Sequence, residues 1–175
     1  MLYPSPEERA IGNYTHAEGY RTQAIGHGSH AEGYLAIASG DGSHAEGGAS
    51  WDYTNEKIIY KESVASGHGS HAEGYGTTAS GHNSHTEGNA TTASAKNAHA
   101  EGYLTKATAQ EAHAEGHSTE ATSNQAHAEG LSTKATGPRT HAEGYNTTAS
   151  GNNSHAEGYN TTASGYNSHA EGHGT

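Results

Sequence analysis

The chain has 175 residues, of which 30% are hydrophobic, and it contains 16 histidines, no cysteine and no phenylalanine. The formal net charge of −11 argues against a nucleic-acid-binding protein, which would need a basic surface. No disulfide framework is possible without cysteine, and large aliphatic residues are too scarce for an ordinary packed core.

Residues 1–13 do not follow the pattern that occupies the rest of the chain. They hold Pro4 and Pro6, followed by the charged stretch 7–9. Proline and charged residues at the open end of a repeat array protect it from pairing with other chains. We therefore predict an N-terminal cap over residues 1–13.

From Tyr14 onward the sequence repeats every fourteen residues. Residues 154–167 read SHAEGYNTTASGYN, and residues 168–172 begin the same unit again. The leading histidine recurs at fourteen-residue steps, except between His44 and His71. A short fixed period is typical of a solenoid. It overrides the disorder that the composition alone predicts, because a disordered chain has no reason to keep alanine in register.

Each unit predicts two short strands, one over Ser154–Gly158 and one over Thr161–Ala163. Because side chains alternate along a strand, Ala156 faces one side while His155 and Glu157 face the other. The alanine side is the only one suited to an interior. The unit therefore predicts an all-β fold, a narrow parallel β-roll of fourteen-residue coils in which small residues fill the core.

Two turns close each coil in this prediction, one at Gly158 and one at the corner 165–167, where the residues tolerate positive φ. Thr86 is the single exception to alanine in the first strand's inward position. Eleven coils stacked at about 4.8 Å make a rod roughly 50 Å long. Alanine and threonine bury little apolar area against the entropy of ordering the chain, so we expect a further surface to be buried by association.

The irregular interval between two motif histidines contains thirteen extra residues, 51–63, with the only tryptophan of the chain. Two strand-like halves, 51–53 and 58–61, flank residues 54–57, and this pattern predicts a small inserted hairpin. The rival interpretation is a degenerate extra coil. It is less favourable because it places Asp52 in the alanine position.

The units resemble the head repeats of YadA-like trimeric autotransporter adhesins, a repeat class that also occurs in phage tail-fibre and tail-spike proteins. Residues 153–158, followed by Thr161, Ala163 and Gly165, carry the resemblance, which extends from Tyr14 to the end of the chain. It implies a left-handed parallel β-roll, of which three copies pack side by side as a homotrimer that displays a binding surface.

The chain departs from that family at the two positions that flank the central alanine. The family's residues there are usually aliphatic and face neighbouring chains, whereas this chain has histidine and glutamate. Carried over by position, these residues would line the trimer interface and make it polar. The predicted interface residues are His16, Glu18, His30, Glu32, His44, Glu46, His71, Glu73, His85, Glu87, His99, Glu101, His113, Glu115, His127, Glu129, His141, Glu143, His155, Glu157, His169 and Glu171.

A repeated His-x-Glu does not predict catalysis, because eleven equivalent rungs do not form one shaped pocket. We therefore predict no enzymatic activity, no catalytic residue and no cofactor. Metal binding by imidazoles that three chains bring to one level is an alternative. The favoured interpretation has no metal, and each histidine donates to a glutamate of a neighbouring chain. Such pairs make assembly pH-sensitive, in a direction that the sequence leaves open.

Aromatic residues supply the candidate contact surfaces. Trp51, Tyr53 and Tyr60 interrupt the repeat and are the candidate receptor contacts. A second set follows the motif glycine, where stacking between rungs is favoured over sugar binding. This set consists of Tyr20, Tyr34, Tyr75, Tyr103, Tyr145 and Tyr159. Three corner histidines, His27, His68 and His82, are expected to be solvated.

We interpret the protein as a non-enzymatic adhesive rod, the trimeric head of a phage tail fibre or of a surface adhesin, that presents a host-receptor or glycan contact. The alternative is a passive trimeric spacer whose recognition domain lies outside this segment. Both interpretations place it outside the cell, on a virion tail or a cell surface. Neither involves nucleic acid or membrane insertion of this segment.

Overall fold

A computed structural model describes residues 9–52 and 57–175, with only the backbone described for 49–52 and 57–60. The strands in chain order are β1 Arg9–Ala10, β2 His16–Tyr20, β3 Gln23–Ala24, β4 His30–Tyr34, β5 Ala36–Ala38, β6 His44–Gly47, β7 Ala49–Asp52, β8 Lys57–Tyr60, β9 Ser63–Ala65, β10 His71–Tyr75, β11 Thr78–Ala79, β12 His85–Asn89, β13 Thr92–Ala93, β14 His99–Tyr103, β15 Lys106–Ala107, β16 His113–His117, β17 Glu120–Ala121, β18 His127–Leu131, β19 Lys134–Ala135, β20 His141–Tyr145, β21 Thr148–Ala149, β22 His155–Tyr159, β23 Thr162–Ala163 and β24 His169–Ala170. Apart from β7 and β8, the longer strands are the predicted His-x-Glu segments, and the shorter ones end on the second alanine of each unit.

These strands form a parallel β-solenoid with two eleven-stranded sheets, so the predicted all-β coil architecture is confirmed. The motif sheet contains β2, β4, β6 and the later His-Ala-Glu-Gly strands, and the second sheet contains β1, β3, β5 and the short strands. The register is strict. In the pairing of β20 with β22, His141 lies beside His155, Ala142 beside Ala156 and Glu143 beside Glu157. Identical side chains therefore form continuous columns along the rod.

The interior is built from small residues, as predicted. The inward alanines, such as Ala100 and Ala128, are completely buried, and so are threonines such as Thr105 and Thr133. The buried alanines form two clusters, one up to Ala79 and one from Ala93 onward. Thr86 replaces the inward alanine in the strand that lies between these clusters.

The predicted corner at residues 165–167 is a turn, but the prediction that Gly158 itself turns the chain is wrong. Gly158 lies within β22, at φ +108°, and the positive-φ turn residues are Asn160 and Asn167. A Cβ at Gly158 would meet the carbonyl oxygen of Gly172 in the next coil. The motif glycine therefore allows close stacking of successive coils.

Some corners are closed by a hydroxyl from the residue before the motif histidine, whereas three coils have alanine there, at Ala98, Ala112 and Ala126. Ser84 Oγ donates to the Gly81 carbonyl at 2.8 Å, and Thr140 Oγ1 donates to the Gly137 carbonyl at 2.6 Å. These bonds satisfy buried polar atoms of both partners. Small hydroxyl residues at this position thus fix the turn from inside the coil.

The second sheet begins before Tyr14, where the repeat motif starts. Arg9 pairs with Gln23 and Ala10 with Ala24, in parallel register. Ala10 precedes Ala24 by one fourteen-residue unit, which explains the pairing without a His-x-Glu motif. Part of the segment predicted as a cap thus extends the second sheet by one strand. Residues 1–8 lie outside the described residues.

In the inserted segment, β7 and β8 lie outside both long sheets, whereas Ser63, predicted as the last inserted residue, begins β9 of the second sheet. β7 and β8 pair antiparallel in a two-stranded sheet, with Ala49 opposite Tyr60 and Asp52 opposite Lys57. The coils close over the insertion, because β6 pairs directly with β10 and His44 lies beside His71. The strand boundaries differ slightly from the predicted ones, since pairing begins at Ala49.

Candidate functional site

The motif histidines form one column of stacked rings along the motif sheet. Their ring centroids are 4.7–4.9 Å apart from His30 to His169, and His16 meets His30 edge-on at 5.0 Å. The spacing follows from parallel in-register strands, which place each ring directly above the previous one. All eleven predicted histidines are thus brought to one face.

The motif glutamates form a second column two residues along the same strands. Imidazole Nε2 lies 3.3 Å from the carboxylate in the pair His113–Glu115, and 4.0 Å in the pair His141–Glu143. Some carboxylates also approach the next coil, since Glu143 Oε1 is 3.5 Å from His155 Nε2. We call the two columns together the His–Glu ladder, which consists of the 22 residues predicted as an interface.

Proximity does not produce hydrogen bonds at most rungs. Among the described residues, Nε2 is shielded from solvent and has no hydrogen-bond partner at His30, His44, His71, His85, His99, His113, His127, His141 and His155. The carboxylates at these rungs are too distant or poorly aligned to accept, and in the part of the ladder that the structure describes only the exposed pair His16–Glu18 has suitable geometry, at 3.4 Å. Within one chain, therefore, the carboxylate does not satisfy each imidazole. Pairing between neighbouring chains stays a prediction.

Stacking also affects protonation. Burial holds the pKa of His99 below its usual value, and the neighbouring rings of His113 and His85 lower it further, against the opposing effect of Glu101 and Glu115. The pKa of His71 is lowered for the same reasons, with burial first. A column of imidazoles at this spacing cannot easily hold a positive charge on every ring. The ladder is therefore a polar face on which His71 and His99 favour the neutral form.

The ladder is only partly exposed. The side chain of His127 is 37% accessible and that of Glu129 is 35% accessible, while Ala128 between them is fully buried. Beside the ladder runs an open groove of about 580 Å³, lined by the carboxylates of residues 115, 129, 143 and 157 and by motif glycines. Sequence reasoning did not identify this glycine-floored groove. The sequence feature that could have indicated the groove is the glycine that follows each motif glutamate.

The tyrosines after the motif glycine stack between coils. Tyr20 lies 4.6 Å from Tyr34, and Tyr145 lies 4.9 Å from Tyr159. The column also includes His117 and His173, which sequence reasoning did not assign to it, although both occupy the same repeat position. Stacked rings cover one another's faces, so structural stacking explains this column better than sugar binding does.

The other predicted residues fall in two places. The corner residues His68 and His82 stack at 5.8 Å, outside the ladder. The candidate receptor contacts Trp51 and Tyr60 lie on β7 and β8, whose side chains are outside the described residues, as is the whole of Tyr53. Their role as contacts stays a prediction.

Comparison with known families gives a match. The family model described as YadA head domain repeat (2 copies) matches residues 17–43, 61–84, 128–154, 142–168 and 156–175, which together make up more than half of the chain. No curated protein matches the chain. In the described part of the chain, no helix has the length and apolar character needed to span a membrane.

Proposed function

The chain belongs to the YadA head domain repeat family, and on this premise we propose that it forms the trimeric, non-enzymatic adhesive rod of a phage tail fibre or a surface adhesin. The coils wind left-handed, and three chains pack side by side with their His–Glu ladders at the interface. The rod lies outside the cell and presents a contact for a host receptor or glycan.

The observation that carries the trimer is the set of nine shielded imidazole nitrogens without hydrogen-bond partners in one chain. A shielded polar atom without a partner destabilises the state that contains it. A neighbouring chain with the same half-exposed columns offers carboxylates along the whole rod. Because the interior consists of small residues, association also buries surface that a single coil stack leaves exposed.

Sedimentation of the purified chain tests the assembly. We expect a mass three times the 18.0 kDa of one chain. Changing His99 and His113 to glutamate adds charge to a ladder already rich in carboxylates, so it should dissociate the trimer. The matched control changes Thr92 and Lys106 to glutamate on the outward face of the second sheet, which should leave the mass unchanged. Monomeric wild-type protein, or equal masses for the two double variants, would refute the proposed interface.

Replacement of one polar rung by the family's aliphatic residues is a milder test. His99→Val together with Glu101→Ile removes two ladder residues and supplies apolar surface at the same positions. We expect the trimer to persist, because apolar burial replaces the polar pairing at that rung. If this variant sediments as monomers, the polar ladder is essential for assembly.

The proposed receptor contact lies in the inserted segment, because β7 and β8 leave the two long sheets and form a separate element. Irregular segments on a rigid scaffold commonly carry binding residues, and this one holds Trp51, Tyr53 and Tyr60. The second candidate function is a passive spacer, which the uniform register of the coils outside the insertion favours.

Removal of residues 50–62 separates the two functions. It restores the fourteen-residue interval and joins Ala49 to Ser63, which already pairs with Ala36 in the second sheet. Flow cytometry with fluorescently labelled protein on bacterial and animal cells measures adhesion. An adhesive head should bind through the insertion and lose binding when it is removed. Absence of binding by both proteins, at the same trimer mass, would instead identify a spacer, and equal binding by both would place the contact outside the insertion.

A further inference from the structure

We propose that the His–Glu ladder binds divalent transition-metal ions, such as Zn²⁺ or Ni²⁺, at three sites, each formed by two stacked histidines and one glutamate of a single chain. In each group the three ligand atoms lie within 4.8 Å of one another. The groups are His30, Glu32 and His44; His127, Glu129 and His141; and His155, Glu157 and His169. The sites use one chain only, and the shielded nitrogens of His71, His85, His99 and His113, which belong to none of the groups, stay available for contacts with neighbouring chains in the proposed trimer.

The ligand set selects the class of metal. Imidazole nitrogen suits zinc, nickel and copper, whereas calcium and magnesium prefer shells made of oxygen ligands. Two nitrogens and one carboxylate oxygen leave at least one coordination position for water or another ligand, as in open zinc sites. The ladder is therefore expected to discriminate against Mg²⁺ and Ca²⁺.

The geometry needs only a small adjustment. Zinc binds imidazole nitrogen at about 2.0–2.1 Å in tetrahedral geometry, which places two ligand atoms about 3.3 Å apart. Ligand atoms that lie within 4.8 Å of one another must therefore approach by up to roughly 1.5 Å to share one ion. The rings of His127 and His141 are stacked at 4.7 Å, and those of His155 and His169 at 4.9 Å. The backbone of both pairs is fixed by parallel pairing, so rotation of partly exposed side chains supplies the movement.

The hydrogen bonding of the group histidines leaves room for a ligand, as it also does at His71, His85, His99 and His113 outside the groups. Nε2 of five of the six group histidines is shielded from solvent without a hydrogen-bond partner, although a carboxylate lies nearby. At His44, for example, Glu32 Oε1 is 3.4 Å away but does not accept a hydrogen bond. A cation between these atoms satisfies the nitrogen lone pair and the carboxylate charge together.

Isothermal titration of the full chain, first treated with chelator and then dialysed, tests the proposal. We expect about three Zn²⁺ ions per chain and the same number of Ni²⁺ ions, with no binding of Mg²⁺ or Ca²⁺ at equal concentrations. Glu129→Gln removes the carboxylate of the second group and should lower the stoichiometry from three to two, since only two of the three ligands then remain at that site.

The control is a double change at the corner, His68→Gln with His82→Gln. These rings also stack, at 5.8 Å, but belong to none of the three groups. This control should keep three ions. His155→Gln, in the third group, repeats the test in case the Glu129 variant does not fold, which circular dichroism would show.

Three results would overturn the proposal. The first is the absence of Zn²⁺ binding. The second is a stoichiometry that follows the total number of histidines and is unchanged by Glu129→Gln and His155→Gln. The third is a loss of ions in the corner variant equal to that in the group variants, because generic surface histidines would then account for the binding.

Discussion

The two faces of a single motif strand differ in what restricts their residues. In β18, Ala128 points inward and is fully buried, while His127 and Glu129 point outward and are about one third exposed. Both faces repeat with the same register, so backbone pairing does not distinguish them. The inward residue is restricted by space, because the coil is only wide enough for small side chains. The outward residues are restricted by chemistry, and this is where a chain of this fold can acquire a function.

The largest effect on the free energy of unfolding is expected from a larger side chain in the interior. Ala135→Leu should destabilise the protein by about 3 kcal/mol or more, since a packed core accommodates added carbons only with strain. The matched change Lys134→Leu, on the outward side of the same strand β19, should cost less than about 1 kcal/mol because its ion pair with Glu120 is exposed. Urea unfolding followed by circular dichroism measures both. Similar costs for the two variants would mean that the interior is not tightly packed.

A smaller effect, of opposite sign, is expected at Thr86. Its hydroxyl is fully buried and has no hydrogen-bond partner. Thr86→Val keeps the shape and removes the unpartnered group, so it should stabilise the protein by about 1 kcal/mol. The control Thr92→Val, on the outward side of β13, should change the free energy of unfolding little. Destabilisation by Thr86→Val would show that the hydroxyl forms a bond in the folded state.

The smallest effect concerns the outward histidines and pH. Burial and the neighbouring rings of His85 and His113 lower the pKa of His99 when the chain folds, so the unfolded state binds more protons near pH 6. The stability contributed by the neutral ring is present above the unfolded pKa of about 6.5, and it is lost as the pH falls through the lower folded pKa. The melting temperature should therefore fall by a few degrees between pH 7.5 and pH 5.5.

The pH effect has an internal control. His99→Gln removes one of the rings responsible and should reduce the fall in melting temperature, whereas the corner change His68→Gln should reduce it less. A melting temperature that is flat over this range, or that rises on acidification, would contradict a lowered pKa of His71 and His99 in the folded state.

The fold was predictable because one fourteen-residue period determines the strands, the inward positions and the register of the coils. The alanine at position 156 and its equivalents indicate the interior, and the columns follow from the register. The role of Gly158 was not predictable, because turn formation and close stacking of coils both require glycine. Leu104 was also unexpected at φ +57°, since a leucine rarely adopts this conformation. Asn146 and Asn160 occupy the same position at φ 52° and 54°, so the repeat imposes the backbone on whichever residue is present.

The placement of the site residues was predictable from the sequence, but their hydrogen bonding was not. Alternation along the strand placed histidine and glutamate on one outward face, and the structure has them there. Whether a carboxylate accepts a hydrogen bond from the neighbouring imidazole depends on side-chain rotamers and on differences of a few tenths of an ångström. At His113 the carboxylate of Glu115 is only 3.3 Å away and still makes no hydrogen bond. No sequence pattern encodes that detail.

The direct pairing of β6 with β10 has an evolutionary consequence. His44 meets His71 in perfect register although the intervening segment is longer than one unit. The ladder thus tolerates extra sequence at a corner, while gain or loss of a whole unit reproduces contacts that already exist elsewhere along the rod. Recombination between repeats can change the reach of the molecule one coil at a time, and inserted segments can diverge freely without altering that reach.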